Sequence, residues 1–160
     1  MTVEVGPEFE QEWPGASALS TACVINLVLL THRMETLVAR WGKDYDIPSA
    51  AAANAMEVMR GAAEPLTPSV IAQRMFVSAG TLTGVLGTLE RHGLVRRSPN
   101  PNDGRSQLVS LTRQGKARIL AFMRMAHRMD REVMGVLDES EQRALLGFLG
   151  RLQAGLPEAP

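Results

Sequence analysis

The chain has 160 residues, enough for one domain with a real core, and its 45% apolar and 21% charged composition excludes a disordered or fibrous protein. Formal net charge is zero, so no overall field marks a polyanionic partner. The single cysteine, Cys23, excludes an intrachain disulfide and fits a reducing compartment.

The charge is unevenly placed. Residues 67–118 carry eight bases against two acids, while residues 1–66 carry four bases against nine acids. A basic centre between acidic ends is the pattern to explain.

Residues 1–15 hold Pro7, Pro14 and four glutamates without periodicity, and are expected to form a flexible arm. They lack the basic flank and apolar core of a secretion signal. From Ser17 to about Trp41, Cys23, Val24, Leu27, Leu30, Met34, Leu37, Val38 and Trp41 recur at helical intervals, with Gly42 as the stop. The run ACVINLVLL within it is about half the length that crosses a bilayer. A soluble, cytoplasmic protein with no membrane partner is expected.

The segment DYDIPSAAAANAMEVMRG predicts a second helix, with Pro48 in its first turn, Met56 and Met59 toward the core and Gly61 at its end. Thr67 and Pro68 then open a short helix over about 68–75. Ser78 caps another that runs to about His92. On this helix Leu82, Val85, Leu86 and Leu89 form one apolar stripe. Ser78, Gly80, Thr81, Thr83 and Gly84 lie on the other face. Close packing is the plainer reading for Gly87. Gly93 ends the helix, and residues 94–97 and 107–111 read as two strands joined by a long, flexible polar loop. Beyond Thr112 two helical patterns carry Ile119 to Leu137 and Leu145 to Leu152, and residues 155–160 are expected to fray.

Two short helices joined by a tight turn, followed by a basic hairpin, make a winged helix-turn-helix. Such a helix enters the major groove with its first turn against base edges, so small and hydroxyl side chains suit that face. Arg105 at the hairpin tip can enter the minor groove, with Asp103 expected to hold it by an ion pair. Arg96 and Arg97 point to opposite sides of their strand, so one of them faces DNA. Arg96 joins Ser78, Gly80, Thr81, Thr83, Gly84, Asp103 and Arg105 as the expected DNA-binding set.

The segment LTPSVIAQRMFVSAGTLTGVLGTLERHGLVRRSPNPNDGRSQLVSLTRQGK resembles the reading head of the MarR family of bacterial transcription regulators. The LERHGLV turn, the PNDGRS wing and the VSLTRQG exit carry the likeness, and the layout matches over about residues 18–153. The resemblance implies a mainly α fold with a small β-hairpin wing, dimerising through its N- and C-terminal helices. On that pattern residues 16–47 and 116–154 pair two copies and residues 48–115 hold the winged helix-turn-helix. It further implies a homodimer on a pseudo-palindromic double-stranded operator, acting as a repressor released by a small, often aromatic, ligand or by oxidation. Departures are plain. No Arg or Lys lies between Arg74 and Arg91, Gly104 replaces a common second arginine, and Phe76 stands where glycine is usual, read here as a packing variant.

Met34, Met56, Met59 and His32 are the candidate lining of an effector pocket. Cys23 is the candidate for a redox-sensing repressor, the main alternative, although the tyrosines that accompany such a cysteine are missing. A winged helix used only for protein contact is the other alternative, and it predicts a neutral wing. The pairs His32 with Glu35 and His127 with Asp130 could each hold a metal, but such pairs arise often by chance and a solvated or capping role is the plainer reading, so no metal or cofactor is expected. Without a Ser–His–Asp spacing, a phosphate loop or a carboxylate pair, no enzymatic activity is expected.

Overall fold

The computed structural model describes residues 2–157. These fall into two compact units, one ending at Phe122 and one beginning at Met123. The first holds α1 (Phe9–Glu12), α2 (Ala18–Asp44), α3 (Ala50–Arg60), α4 (Pro68–Met75), α5 (Ala79–Arg91), β1 (Val95–Pro99), β2 (Gln107–Leu111) and the start of α6 (Arg113–Met134). The second holds the end of α6 and α7 (Glu139–Ala154).

The helix starts follow from local chemistry. Hydroxyls of Ser17, Ser49, Thr67 and Ser78 each accept a backbone N–H from the first turn of α2, α3, α4 and α5. Each such cap is worth about 1 kcal/mol. Ser49 takes the cap of α3, which leaves Pro48 just outside the helix rather than in its first turn as expected. At the far end of α2, the helix continues past Gly42 to Asp44. Gly42 is buried instead, and its carbonyl accepts the N–H groups of Tyr45 and Ile47 as the chain folds back.

The N-terminal segment is tied to α2 at two points. Val3 exchanges both of its backbone hydrogen bonds with the Asn26 amide, at 2.9 and 2.8 Å, and the Ala18 N–H donates to Glu10 Oε1 at 2.9 Å. Residues 158–160 of the expected frayed tail lie outside the described residues.

The core of the first unit is built from Ile47, Met56, Ile71, Leu82, Leu86, Leu89, Leu94, Val109 and Ile119, all essentially inaccessible. Each buried side chain of this size stabilises the fold by about 1.5–3 kcal/mol. The leucine stripe of α5 faces this core as its spacing requires. Helices α4 and α5 meet at 111°, within the range of a helix-turn-helix. Strands β1 and β2 pair antiparallel, with Val95 opposite Leu111 and Arg97 opposite Val109. Leu66 adds a short third rung, exchanging hydrogen bonds with Val109 at 3.1 and 2.7 Å.

In the second unit, Asp138 and Glu141 form a reciprocal capping box at the start of α7. The Glu141 backbone N–H and the Ser140 hydroxyl hold the Asp138 carboxyl below its usual range. Gln142 donates to the carbonyls of Met134 and Leu137 and closes the turn before α7.

Candidate nucleic-acid interface

Helix α5 presents two chemically distinct faces. Leu82, Leu86 and Leu89 are buried, while Ser78, Gly80, Thr81, Thr83 and Gly84 are exposed. The hydroxyls on that exposed face are already oriented. Ser78 Oγ accepts the Thr81 N–H at 3.1 Å and lies 2.9 Å from Thr81 Oγ1. Thr83 Oγ1 donates to the Ala79 carbonyl at 2.8 Å, which leaves its lone pairs and methyl group facing outward.

The glycines of α5 leave open space. A Cβ at Gly84 or Gly87 would meet nothing within 4 Å, and one at Gly80 would touch only Ser78 Oγ. Close packing therefore does not account for Gly87, contrary to expectation. An outer surface this low lets another molecule approach the helix backbone.

The wing tip is built by hydrogen bonds rather than being a loose loop. Asn100 Oδ1 accepts the Asn102 N–H at 3.0 Å, and Asn100 Nδ2 donates to Ser106 Oγ at 2.7 Å. The Ser106 N–H reaches the Asp103 carbonyl at 3.0 Å. These short-range bonds knit residues 100–106 into successive turns. Asp103 does brace Arg105, but not by the expected ion pair. Its Oδ1 accepts the Arg105 backbone N–H at 3.0 Å, the bond a turn aspartate makes to the main chain two residues on. The Arg105 side chain is exposed and takes part in no ion pair among the described residues.

The two strand arginines diverge. Arg97 Nε donates to Glu90 Oε2 at 3.2 Å and so links β1 to the end of α5. Arg96 donates to Ser110 Oγ at 3.3 Å and borders a cavity of about 340 Å³ with Arg60, Glu64, Val109, Lys116 and Leu120. Arg96 thus stands apart from the exposed set on α5. The strand alternation was readable in the sequence, but the partner of each arginine was not, since Glu90 and Ser110 come close only after folding.

The remaining candidates are scattered. Met56 is fully buried in α3, Met59 borders the cavity beside Arg96, and Met34 and His32 lie on the outer surface of α2. They do not line one pocket. Cys23 is exposed on α2. Tyr45, the sole tyrosine, packs edge-on against Phe122 at 5.8 Å between ring centres. Among the described residues no group of three or more His, Cys, Asp or Glu side chains is placed to hold a metal.

Phe76 overturns its sequence reading. It is almost fully exposed, so it is not a packing variant. The core behind the turn is filled by Met75 and Ile71 on the buried side of α4, which leaves the next residue outside.

A model of the MarR family matches residues 45–106, which span the helix-turn-helix and the wing tip. The regulator PecS of Dickeya dadantii is 33% identical over 97 residues, 61% of this chain and 58% of PecS. Over these residues the chain is similar to the MarR family.

The match covers little more than half the length of PecS. Agreement in fold extends further. Escherichia coli MarR, solved as a variant in complex with operator DNA, superposes with a TM-score of 0.76 at 27% identity, over 95% of this chain and all of that one. Staphylococcus aureus MepR, solved in complex with DNA, also gives a TM-score of 0.76, at 21% identity over 82% of this chain and 95% of MepR. The mainly helical winged-helix fold is thus common to this chain and its structural relatives.

Proposed function

We propose that this chain is a cytoplasmic, homodimeric transcription regulator of the MarR family that binds a pseudo-palindromic DNA operator as a repressor. The observation that carries this reading is the pairing of a low, hydroxyl-lined face on α5 with a braced arginine at the wing tip. The first suits base edges in the major groove, and the second suits the negative potential of the minor groove or the backbone. Ser78, Gly80, Thr81, Thr83, Gly84 and Arg105 make the contacts, and Asp103 sets the tip. Solved relatives bound to DNA support the same partner.

Pairing of two copies is supported by apolar side chains left in water. Leu19, Val24, Val28 and Leu30 are exposed on α2, and Leu146, Phe148 and Leu152 are exposed on α7. Apolar surface of this extent marks an interaction site. By length and composition α2 also meets the requirement for a membrane span, which the short run ACVINLVLL did not foretell. One flank of α2 packs on α3, however, and its second half carries Arg33, Glu35, Arg40 and Lys43. A second copy covers such a helix without burying those charges. Pairing also sets two recognition helices about one DNA turn apart, roughly 34 Å.

Release is assigned to a small ligand. The cavity beside Arg96 lies against β2 and the start of α6, so an occupant there bears on the wing. Selection of duplexes from random sequence tests the whole reading. A recovered inverted repeat with paired protection supports it, and failure to enrich any sequence overturns it.

A further inference from the structure

The turn between α4 and α5 holds a residue that no packing among the described residues explains. Phe76 adopts φ 54° and ψ 43°, the left-handed region, and it is 92% exposed. The turn demands this backbone. The Phe76 N–H donates to the Gln73 carbonyl at 3.2 Å and the Val77 N–H to the Ala72 carbonyl at 3.1 Å, which closes α4. Glycine meets the requirement without strain, whereas a bulky aromatic residue is an outlier there. The other described non-glycine residue with positive φ is Asp46, a type that tolerates the region. A ring left in water offsets none of its strain by packing. Strain held in this way points to a role outside the fold.

The position says what that role is. Phe76 lies two residues ahead of Ser78, at the end of α5 that leads into the groove, and Ser78, Ala79, Gly80 and Thr81 beside it are all exposed. No acidic residue occurs between Glu64 and Glu90, so nothing on this segment repels a phosphate backbone. The same segment has no Arg or Lys between Arg74 and Arg91 to read bases by paired hydrogen bonds. The thymine C5 methyl is the one apolar group that a base pair offers in the major groove, and aromatic side chains recognise it.

We propose that Phe76 is a specificity-determining residue whose ring packs on the C5 methyl of one thymine in each half-site. This rests on the DNA-binding reading above.

The test compares the full chain with Phe76→Gly and Phe76→Asn, both compatible with the left-handed turn. Both variants should melt at or above the parent temperature, since a ring that supported the fold would lower it when removed. Both should bind the selected duplex about a hundredfold more weakly, roughly tenfold for each half-site, the loss typical of one mismatched base pair in each. The parent should show the same loss when one thymine per half-site becomes deoxyuridine, and the glycine variant should lose nothing further on that duplex. Parent-like affinity in both variants overturns the proposal, as does a loss that adds to the effect of every deoxyuridine. A parent that selects no duplex sinks the DNA-binding reading and this inference with it. A parent that selects one while the variants match it sinks only the role of Phe76.

Discussion

Arg97 and Glu90 are joined across the wing–helix junction, with Arg97 Nε 3.2 Å from Glu90 Oε2. Both side chains are partly exposed, so the pair contributes at most about 1 kcal/mol to stability. Its larger effect is electrostatic, because Glu90 cancels a positive charge next to the proposed interface. Glu90→Gln should leave the melting temperature nearly unchanged. It should tighten DNA binding at low salt and steepen the plot of log affinity against log salt by about one. Titrations at several salt concentrations check this, and an unchanged slope would place Arg97 outside the reach of DNA.

Asp103 and Arg105 are separable by the choice of substitution. Arg105→Ala should weaken operator binding by about 1–3 kcal/mol and leave the dimer intact. Asp103→Ala removes the acceptor for the Arg105 N–H and should also weaken binding. Asp103→Asn keeps an oxygen at that place and should bind like the parent. Were the aspartate acting through its charge on the arginine side chain, the asparagine variant would behave like the alanine one.

Gly115 sets how closely α6 follows the wing. A Cβ there would collide with the Leu94 carbonyl, on the strand side of the hairpin entrance. Gly115→Ala should cost about 3 kcal/mol, at the upper end for overpacking, and should be seen as an earlier denaturant midpoint. Gly84→Ala, whose new methyl meets open space, should instead be neutral or stabilising while impairing DNA binding.

Asp138 gives the second unit an acid sensitivity. The carboxylate form is favoured in the fold by the Glu141 N–H, then by the Ser140 hydroxyl. A lowered folded pKa means that its stabilisation is complete above the unfolded value, about 4, and fades as pH falls through the folded one. Asp138→Asn keeps an acceptor but has no charge to lose. Its melting temperature should lie below that of the parent at neutral pH and converge with it in acid. Parallel curves across that window would show that the charge of Asp138 is not what caps α7.

Much of this architecture can be read before folding is considered. Hydroxyl caps at Thr67 and Ser78, the leucine stripe of α5 and the strand over residues 107–111 depend on neighbours within a few residues, so local pattern carries them. What depends on distant partners is hidden. Arg97 meets Glu90, Arg96 meets Ser110 and Leu66 joins Val109 only in the folded chain. The exposure of Phe76 departs from its sequence pattern because hydrophobicity is a one-way guide to burial. Its position after Met75, which fills the core, decides its exposure. The Asp103 brace is hidden in the sequence because opposite charges two residues apart suggest an ion pair, while the folded turn offers Asp103 the Arg105 backbone amide.

The most direct measurement is fluorescence anisotropy of the parent chain with a selected inverted-repeat duplex and with a scrambled duplex of the same composition, across a salt series. The expected result is a preference of at least about a thousandfold for the inverted repeat, with affinity falling steeply as salt rises. Equal and weak binding to both duplexes in dilute buffer would contradict the assignment of α5 and the wing to operator recognition.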